Sequence, residues 1–279
     1  MRNVLALLAC ANSMSAANIG SVTQYTLNCV YQAGPNSTLV TVTTIGAGQG
    51  SCPSTAVVQV DGSQYTGSLS GTATARALAD VAYGAISGRA SAAGAGMSGL
   101  DSSALVTMTF ADQLAFFGAA AGIAGFELSA SLAASRLDAS AMLTPSIVFM
   151  LNNVAQLTPT LGYTGAPGQP PVGRVNGTAA NVAYYVPFAD GKMIPFSLAV
   201  SLGSSSGMAS LADIALAISM QVRLYTAAGD ALGSCTYASE SGSPYKVICA
   251  GTTVASPEPG SLGLLGAGVL GLAWLKRRS

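Results

Sequence analysis

Five cysteines and no histidine limit the chemistry open to this 279-residue chain. Cys10 lies close to the N-terminus. The other four form two local pairs, Cys29 with Cys52 and Cys235 with Cys249. Four cysteines permit three connectivities. Local pairing is the simplest, because each pair flanks a strand-turn-strand signal. Each bridge would add roughly 2–4 kcal/mol of stability. Zinc is the competing use for four thiols. Without histidine or a Cys-x-x-Cys spacing, and with the pairs far apart in the chain, a metal site is not expected.

Three nucleophile or phosphate motifs occur, each without its partners. Gly203-Ser204-Ser205-Ser206-Gly207 has the form of a nucleophile elbow. That elbow needs a helix after the turn and a histidine base; here a β-like alternation follows and no histidine exists. Ser243-Pro244-Tyr245-Lys246 spells Ser-x-x-Lys, but Pro244 and Tyr245 inside the Cys235–Cys249 loop predict a turn, not a helix start. Gly94-Ala95-Gly96-Met97-Ser98-Gly99 fits Gly-x-Gly-x-x-Gly without an apolar strand before it or an acid about twenty residues on. The carboxylates Asp80, Asp101, Asp112, Glu127, Asp138, Asp190 and Asp213 are scattered singly. Nothing marks two of them as a glycosidase pair, and no Asp-x-Asp-x-Asp cluster suits calcium. These acids are expected at turns or solvated edges. The reading is a non-enzymatic protein with no catalytic, cofactor or metal residues. Tyr163, Tyr184 and Tyr185 are candidates for stacking on sugar rings, as a lectin-like module would require. The sole tryptophan, Trp274, lies in the C-terminal tail.

Strands must position these residues. Ile214, Leu216, Ile218, Met220, Val222 and Leu224 alternate with smaller or polar residues, which is period two and a half-buried strand. Ala228-Gly229-Asp230 closes it. Phe196, Leu198, Val200 and Leu202 alternate likewise and are expected to end in a loop over 203–207. Leu105–Phe110, Phe126–Leu132, Tyr25–Tyr31 and Leu39–Ile45 read as strands, the last two around a Gly34-Pro35-Asn36 turn; Val57–Val60 runs into Asp61-Gly62. Residues 73–99 are dominated by Ala, Gly and Ser and read as small-residue strands and loops. Residues 159–177, with Pro167, Pro170 and Pro171, read as a long loop. Many short strands with Gly/Pro turns predict an all-β, antiparallel β-sandwich. The body is assigned to residues 18–255, with a possible disulfide-stapled subregion at 18–70.

Both termini read as addresses. Arg2, the apolar run Val4–Ala9 and the small residues to Ala17 follow the order of a secretory signal peptide, placed at 1–17 and cleavable after Ser15-Ala16-Ala17. Leu7-Leu8-Ala9-Cys10 outlines a lipoprotein box, but Leu8 stands where a smaller residue is usual, so Cys10 is read as leaving with the leader. At the other end, Pro257-Glu258-Pro259 precedes an apolar segment, 260–275, and then Lys276-Arg277-Arg278. The segment falls just short of the roughly 17 apolar residues a spanning helix needs, and its glycines weaken it further. The three cations act as a membrane stop that holds the C-terminus in the cytoplasm and everything upstream outside.

Together Pro257-Glu258-Pro259, the Gly/Leu/Ala-rich segment with Trp274, and Lys276-Arg277-Arg278 resemble the PEP-CTERM sorting signal of Gram-negative bacteria, over residues 256–279. The resemblance implies exosortase as partner, cleavage near the tripeptide, and transient anchoring in the inner membrane by the C-terminal transmembrane helix. It further implies a final place at the cell surface or in an exopolysaccharide (biofilm) matrix. Residues 70–235, with Val186-Pro187-Phe188, also resemble the Ala/Ser/Gly-rich sandwich bodies found on PEP-CTERM proteins. The expected function is structural or adhesive; lectin-like carbohydrate binding is the alternative.

Composition agrees with an outside life. Charged residues make up 8% of the chain. Without Arg2, Lys276, Arg277 and Arg278, and with Glu258 lost or kept, seven basic and ten or eleven acidic residues remain of eleven each, a net charge of −3 or −4. A nucleic-acid partner would want a basic patch, so none is expected. So few charges give weak repulsion between copies, which suits a protein that associates or sits in a hydrated polymer.

Overall fold

Alternation turns into burial most directly at residues 212–224. Ala212, Ile214, Leu216, Ile218, Met220, Val222 and Leu224 are all buried, and the residues between them are not. Successive side chains of a strand point to opposite faces, so this run gives one face to a core and one to solvent. The structure, a computed structural model, describes residues 17–96, 101–136, 142–156, 173–206, 210–250 and 252–254.

In chain order the strands are β1 (Asn18–Ala33), β2 (Thr38–Gly46), β3 (Gln49–Ser51), β4 (Thr55–Val60), β5 (Ser63–Leu69), β6 (Gly71–Ala82), β7 (Ala85–Gly96), β8 (Ser102–Phe117) and β9 (Ala121–Arg136). There follow β10 (Met142–Leu151), β11 (Val154–Ala155), β12 (Gly173–Ala189), β13 (Ile194–Ser206), β14 (Ser210–Thr226), β15 (Thr236–Ser239), β16 (Lys246–Cys249) and β17 (Thr252–Val254). One sheet runs β11-β10-β13-β8-β1-β5-β4, with β2 on β1 and β15 on β8. The other runs β12-β9-β14-β7-β6-β3, with β16 on β14 and β17 on β16. The two sheets close over one core cluster. The all-β, antiparallel expectation holds, with one exception: β16 pairs parallel to β14. Among the described residues no helix is long and apolar enough to cross a membrane. Residues 1–16 of the expected leader and the whole 256–279 tail lie outside the described residues.

The early strands form hairpins within a sheet. β4 and β5 are joined by Asp61-Gly62, both at positive φ (49° and 80°), as a two-residue type I′ hairpin requires. From β7 onward the chain changes sheet at each successive long strand: β7 and β9 lie in one sheet with β8 between them in the other, and β10, β12, β13 and β14 continue the alternation. Residues 18–70 contribute to both sheets, β3 joining β6 while β1, β2, β4 and β5 join the β8 sheet.

The strands are not short. β1, β8 and β9 have 16 residues and β12 and β14 have 17. Residues 73–96 lie almost entirely in the long hairpin β6–β7 rather than in strands broken by loops. The reason lies in the core. Ala73, Ala75 and Ala77 on β6 and Ala90 and Ala92 on β7 are buried on the inner face. The facing β8 supplies Val106, Met108 and Phe110. At Gly88 an added Cβ would meet Met108 Cε. Small residues on one sheet accommodate large ones on the other, so the apolar face continues where bulky residues are missing. Two further corrections follow. Gly203–Ser206 continue β13 instead of forming a loop, Gly203–Ser205 paired on both sides, with β10 and β8, and Ser206 with β8. Gly173–Gly177 belong to β12, so the proline-rich connection ends earlier than expected.

Candidate functional site

The cysteines pair locally, but not as hairpin staples. Cys29 sits in β1, bonded to Cys52, which follows β3; their Cα atoms are 5.6 Å apart. Cys235 precedes β15 and is bonded to Cys249 at the end of β16, with Cα atoms 6.2 Å apart. β1 and β15 belong to the β8 sheet, whereas β3 and β16 belong to the β14 sheet. Each disulfide therefore ties one sheet to the other. Among the described residues no cluster of His, Cys, Asp or Glu could hold a metal ion.

The catalytic-looking motifs are built into strands and packing. Ser204 faces the core between the sheets, and its Oγ has no hydrogen-bond partner among the described residues. Ser206 Oγ lies 3.0 Å from Ser102 Oγ, which also donates to the Ala93 carbonyl at 3.1 Å. Ser205, the nucleophile position of the elbow pattern, is in mid-strand, paired with Ser103 and Met142. No turn presents it. Gly94 and Gly96 lie in β7. Ser243 is tied through its backbone, its carbonyl accepting from Ser239 Oγ and its amide donating to Ser241 Oγ, while Lys246 is exposed.

One acid departs from expectation. Asp112 is 3% exposed, on the inner face of β8. Its Oδ1 accepts the amides of Gln113 (2.7 Å) and Ser241 (3.1 Å); its Oδ2 accepts the Ser241 hydroxyl and the Tyr245 hydroxyl (2.8 Å). Tyr245 is held in turn by Tyr237, whose hydroxyl donates to the Tyr245 carbonyl at 2.9 Å and accepts its amide at 2.7 Å. Burial, then the Asp112 carboxylate, push the Tyr245 hydroxyl far above the usual tyrosine range. A carboxylate with four donors around it and no opening to solvent locks the 240–245 crossover in place. It is a structural latch. The sequence held a signal for it: Asp112 occupies the same parity as Val106, Met108, Phe110 and Leu114, an anion on an apolar face.

The groups that face solvent together lie on the outer face of the β14 sheet. Tyr185 is 62% exposed and stands beside Tyr225, the ring centroids 6.1 Å apart and the planes tilted by 58°. Both rings lean over Gly125, the cross-strand partner of Tyr185 on β9. A Cβ there would come within 2.9 Å of the Tyr185 ring and 3.3 Å of the Tyr225 ring, so glycine lets the rings lie low on the sheet. Below them Glu127 accepts from Arg223 Nε at 3.0 Å and from Gln221 Nε2. One row further, Ser129 Oγ donates to Asn181 Oδ1 at 2.7 Å. Burial, then the neighbouring Tyr185 and Glu127, raise the Tyr225 hydroxyl pKa, and Glu127 raises that of Arg223. The same face continues into an open groove of about 650 Å³ floored by Ser131, Ala133, Ala215 and Ala217 and walled by Leu78 and Arg89. Arg89 is held by Asp213 through two hydrogen bonds of 2.8 and 2.9 Å.

Of the two described tyrosines expected to stack on sugars, Tyr185 is so placed. Tyr184 points the other way and stacks on Phe149, centroids 5.3 Å apart; Tyr163 lies outside the described residues. Tyr225 had no distinguishing mark in the sequence, because it joins Tyr185 only across β9.

Residues 257–278 match the PEP-CTERM protein-sorting motif. The match identifies the C-terminal region as a PEP-CTERM sorting signal, which implies export and processing by exosortase. No curated protein and no solved structure matches the chain.

Proposed function

We propose that the body, released from its tail near Pro257-Glu258-Pro259, is a non-enzymatic structural or adhesive component of the exopolysaccharide layer, held at the cell surface or in the biofilm matrix. The observation that supports this is the pairing of a sorting motif with a sparsely charged slab whose two sheets are joined by disulfides. A body cross-linked in this way keeps its fold outside the cell, and low charge leaves it free to associate. The test is fractionation of cells that make the protein, with and without exosortase and with and without exported polysaccharide. Mature protein lacking 260–279 should sit in the matrix fraction, stay in the inner membrane without exosortase, and escape to the medium without polysaccharide. Surface material that still carries Lys276-Arg277-Arg278 by intact mass would overturn the sorting route. Equal retention without polysaccharide would overturn the matrix role.

A second reading, a lectin-like carbohydrate-binding module, is favoured by the exposed Tyr185 ring beside half-buried Tyr225, with hydrogen-bonding side chains ranged beside them.

A further inference from the structure

We infer that the outer face of the β14 sheet binds a neutral, unbranched polysaccharide along its length, with Tyr185 and Tyr225 as the stacking platform and Asn181, Glu127 and Arg223 as the hydroxyl partners. The inference rests on the lectin-like reading and gives it a site and a ligand class.

Sugar chemistry matches the arrangement. A pyranose offers a face of C–H groups and a rim of hydroxyls. The face wants an aromatic ring that is apolar in body and polar at its tip; the rim wants planar amides, carboxylates and guanidinium groups held in fixed directions. Tyr185 supplies an accessible ring, and Tyr225 a second at an angle to it. The polar side chains are already oriented. Asn181, exposed, uses its carbonyl oxygen to accept from Ser129, and its amide supplies donors. Glu127 is fixed from two sides by Arg223 and Gln221. Arg223 makes its bond through Nε, and among the described residues its terminal amino groups make none. Pre-ordered groups lose little freedom when a ligand arrives, which matters most for a shallow site.

Charge decides which polymer. Nucleic-acid bases also stack on tyrosine, but their binding sites need unpaired cations that follow the phosphates. The two arginines beside the rings and the groove are paired with carboxylates, Arg223 with Glu127 and Arg89 with Asp213. The other described cations of this face, Arg76 on β6 and Lys246 on β16, stand singly on separate strands and form no run that could follow a phosphate, sulfate or uronate backbone. A protein partner would favour an apolar centre, whereas here amide, carboxylate and guanidinium groups adjoin the rings.

Shape decides the mode. From Tyr185 to Asn181 the site follows β12 for about 13 Å, longer than one sugar ring. Past Ser129 the same face continues into the open groove over Ser131 and Ala217. An open platform of this kind accepts the interior of a chain; it does not cap a terminus.

The test is native electrophoresis of the full chain in mild detergent through gels containing a neutral polymer (hydroxyethylcellulose, laminarin, xylan or glucomannan) or an anionic one (alginate or polygalacturonate). At least one neutral polymer should retard the wild type, and neither anionic polymer should at physiological salt. Tyr185→Ala should weaken retardation at least tenfold and Asn181→Ala severalfold. Val57→Ser, exposed on the other sheet, should leave it unchanged. Melting curves for each variant separate lost binding from lost fold; if Tyr185→Ala melts early, Asn181→Ala decides. No retardation by any neutral polymer, retardation by the anionic ones alone, or binding by Tyr185→Ala equal to wild type would overturn the site. If Tyr185→Ala binds like wild type and still partitions to the matrix, the site fails while the matrix role stands.

Discussion

Asp112 and Tyr245 show how a buried polar pair can hold a fold without doing chemistry. A carboxylate on an apolar face is costly unless its lone pairs are satisfied, and here two backbone amides and two hydroxyls satisfy them. Tyr245 sits against the rings of Phe196 and Tyr83, at 5.7 and 6.3 Å between centroids, so ionising it would place two anions side by side in the core. The sign of the pH effect follows. Its hydroxyl pKa is raised on folding, so its contribution is complete below the ordinary tyrosine value of about 10 and is lost as pH rises beyond it. Stability of the released body should be flat near neutrality and fall above pH ~10, each such tyrosine adding about 1.4 kcal/mol per pH unit. Tyr31, Tyr83, Tyr184 and Tyr225 are shifted the same way and steepen the fall. Tyr245→Phe should lower stability at pH 7 by about 1–3 kcal/mol, because a hydrogen bond to a buried carboxylate is lost, yet show a shallower alkaline slope. Guanidinium unfolding at pH 7, 10 and 11 measures both. A slope unchanged by Tyr245→Phe would contradict the buried hydroxyl.

The β6–β7 hairpin carries the most instructive difference between sequence and structure. Where bulky residues mark the core face, as in β14 or the Phe196–Leu202 part of β13, alternation alone gave the right strand and the right inward set. Where alanine marks it, as at Ala75, Ala77, Ala90 and Ala92, the pattern is faint: the inward residue is too small to mark a core face, Leu78 and Ala93 on the outward parity blur the alternation, and alanine favours helix in isolation. The inward role of those alanines is set by Met108 and Phe110 on the opposite sheet, which no local window contains. The Tyr185–Tyr225 face was half readable for the same reason. Tyr185 could be singled out, but its partner and the Glu127–Arg223 pair come together only through β12-β9-β14 register. The small-against-large arrangement is testable. Ala90→Leu, fully buried, should destabilise by about 1–3 kcal/mol through overpacking. Ala217→Leu, on the outer face of the same sheet, should stay within about 0.5 kcal/mol. Equal denaturation midpoints for the two variants would mean that β7 and β8 do not pack as described.

The two disulfides act on the sandwich as a whole. Cys29 lies just beyond the start of β8, where the Asn28 amide donates to the Asp101 carbonyl. Cys235 lies at its far end, where Thr236 pairs with Phe117. β8 spans roughly 50 Å, so the bridges fasten the sheets at opposite ends. They share no strand, and sites this far apart should contribute independently. Each closes a short loop, of sequence separation 23 and 14, and such closures stabilise by about 3 kcal/mol apiece. Together that is comparable to the 5–15 kcal/mol stability of a typical domain. The sorting route and the fold are thus coupled, since a secreted chain reaches an oxidising compartment where these bridges can form. Cys29→Ser/Cys52→Ser and Cys235→Ser/Cys249→Ser should each lower the unfolding free energy of the released body by about 3 kcal/mol, and the combined variant by about the sum. The combined variant, or wild type under strong reductant, should lose protease resistance along the whole chain, because β8 belongs to a core shared by both ends. Loss confined to residues 18–70 on removal of Cys29–Cys52 would instead show that the N-terminal strands form a separately stapled unit.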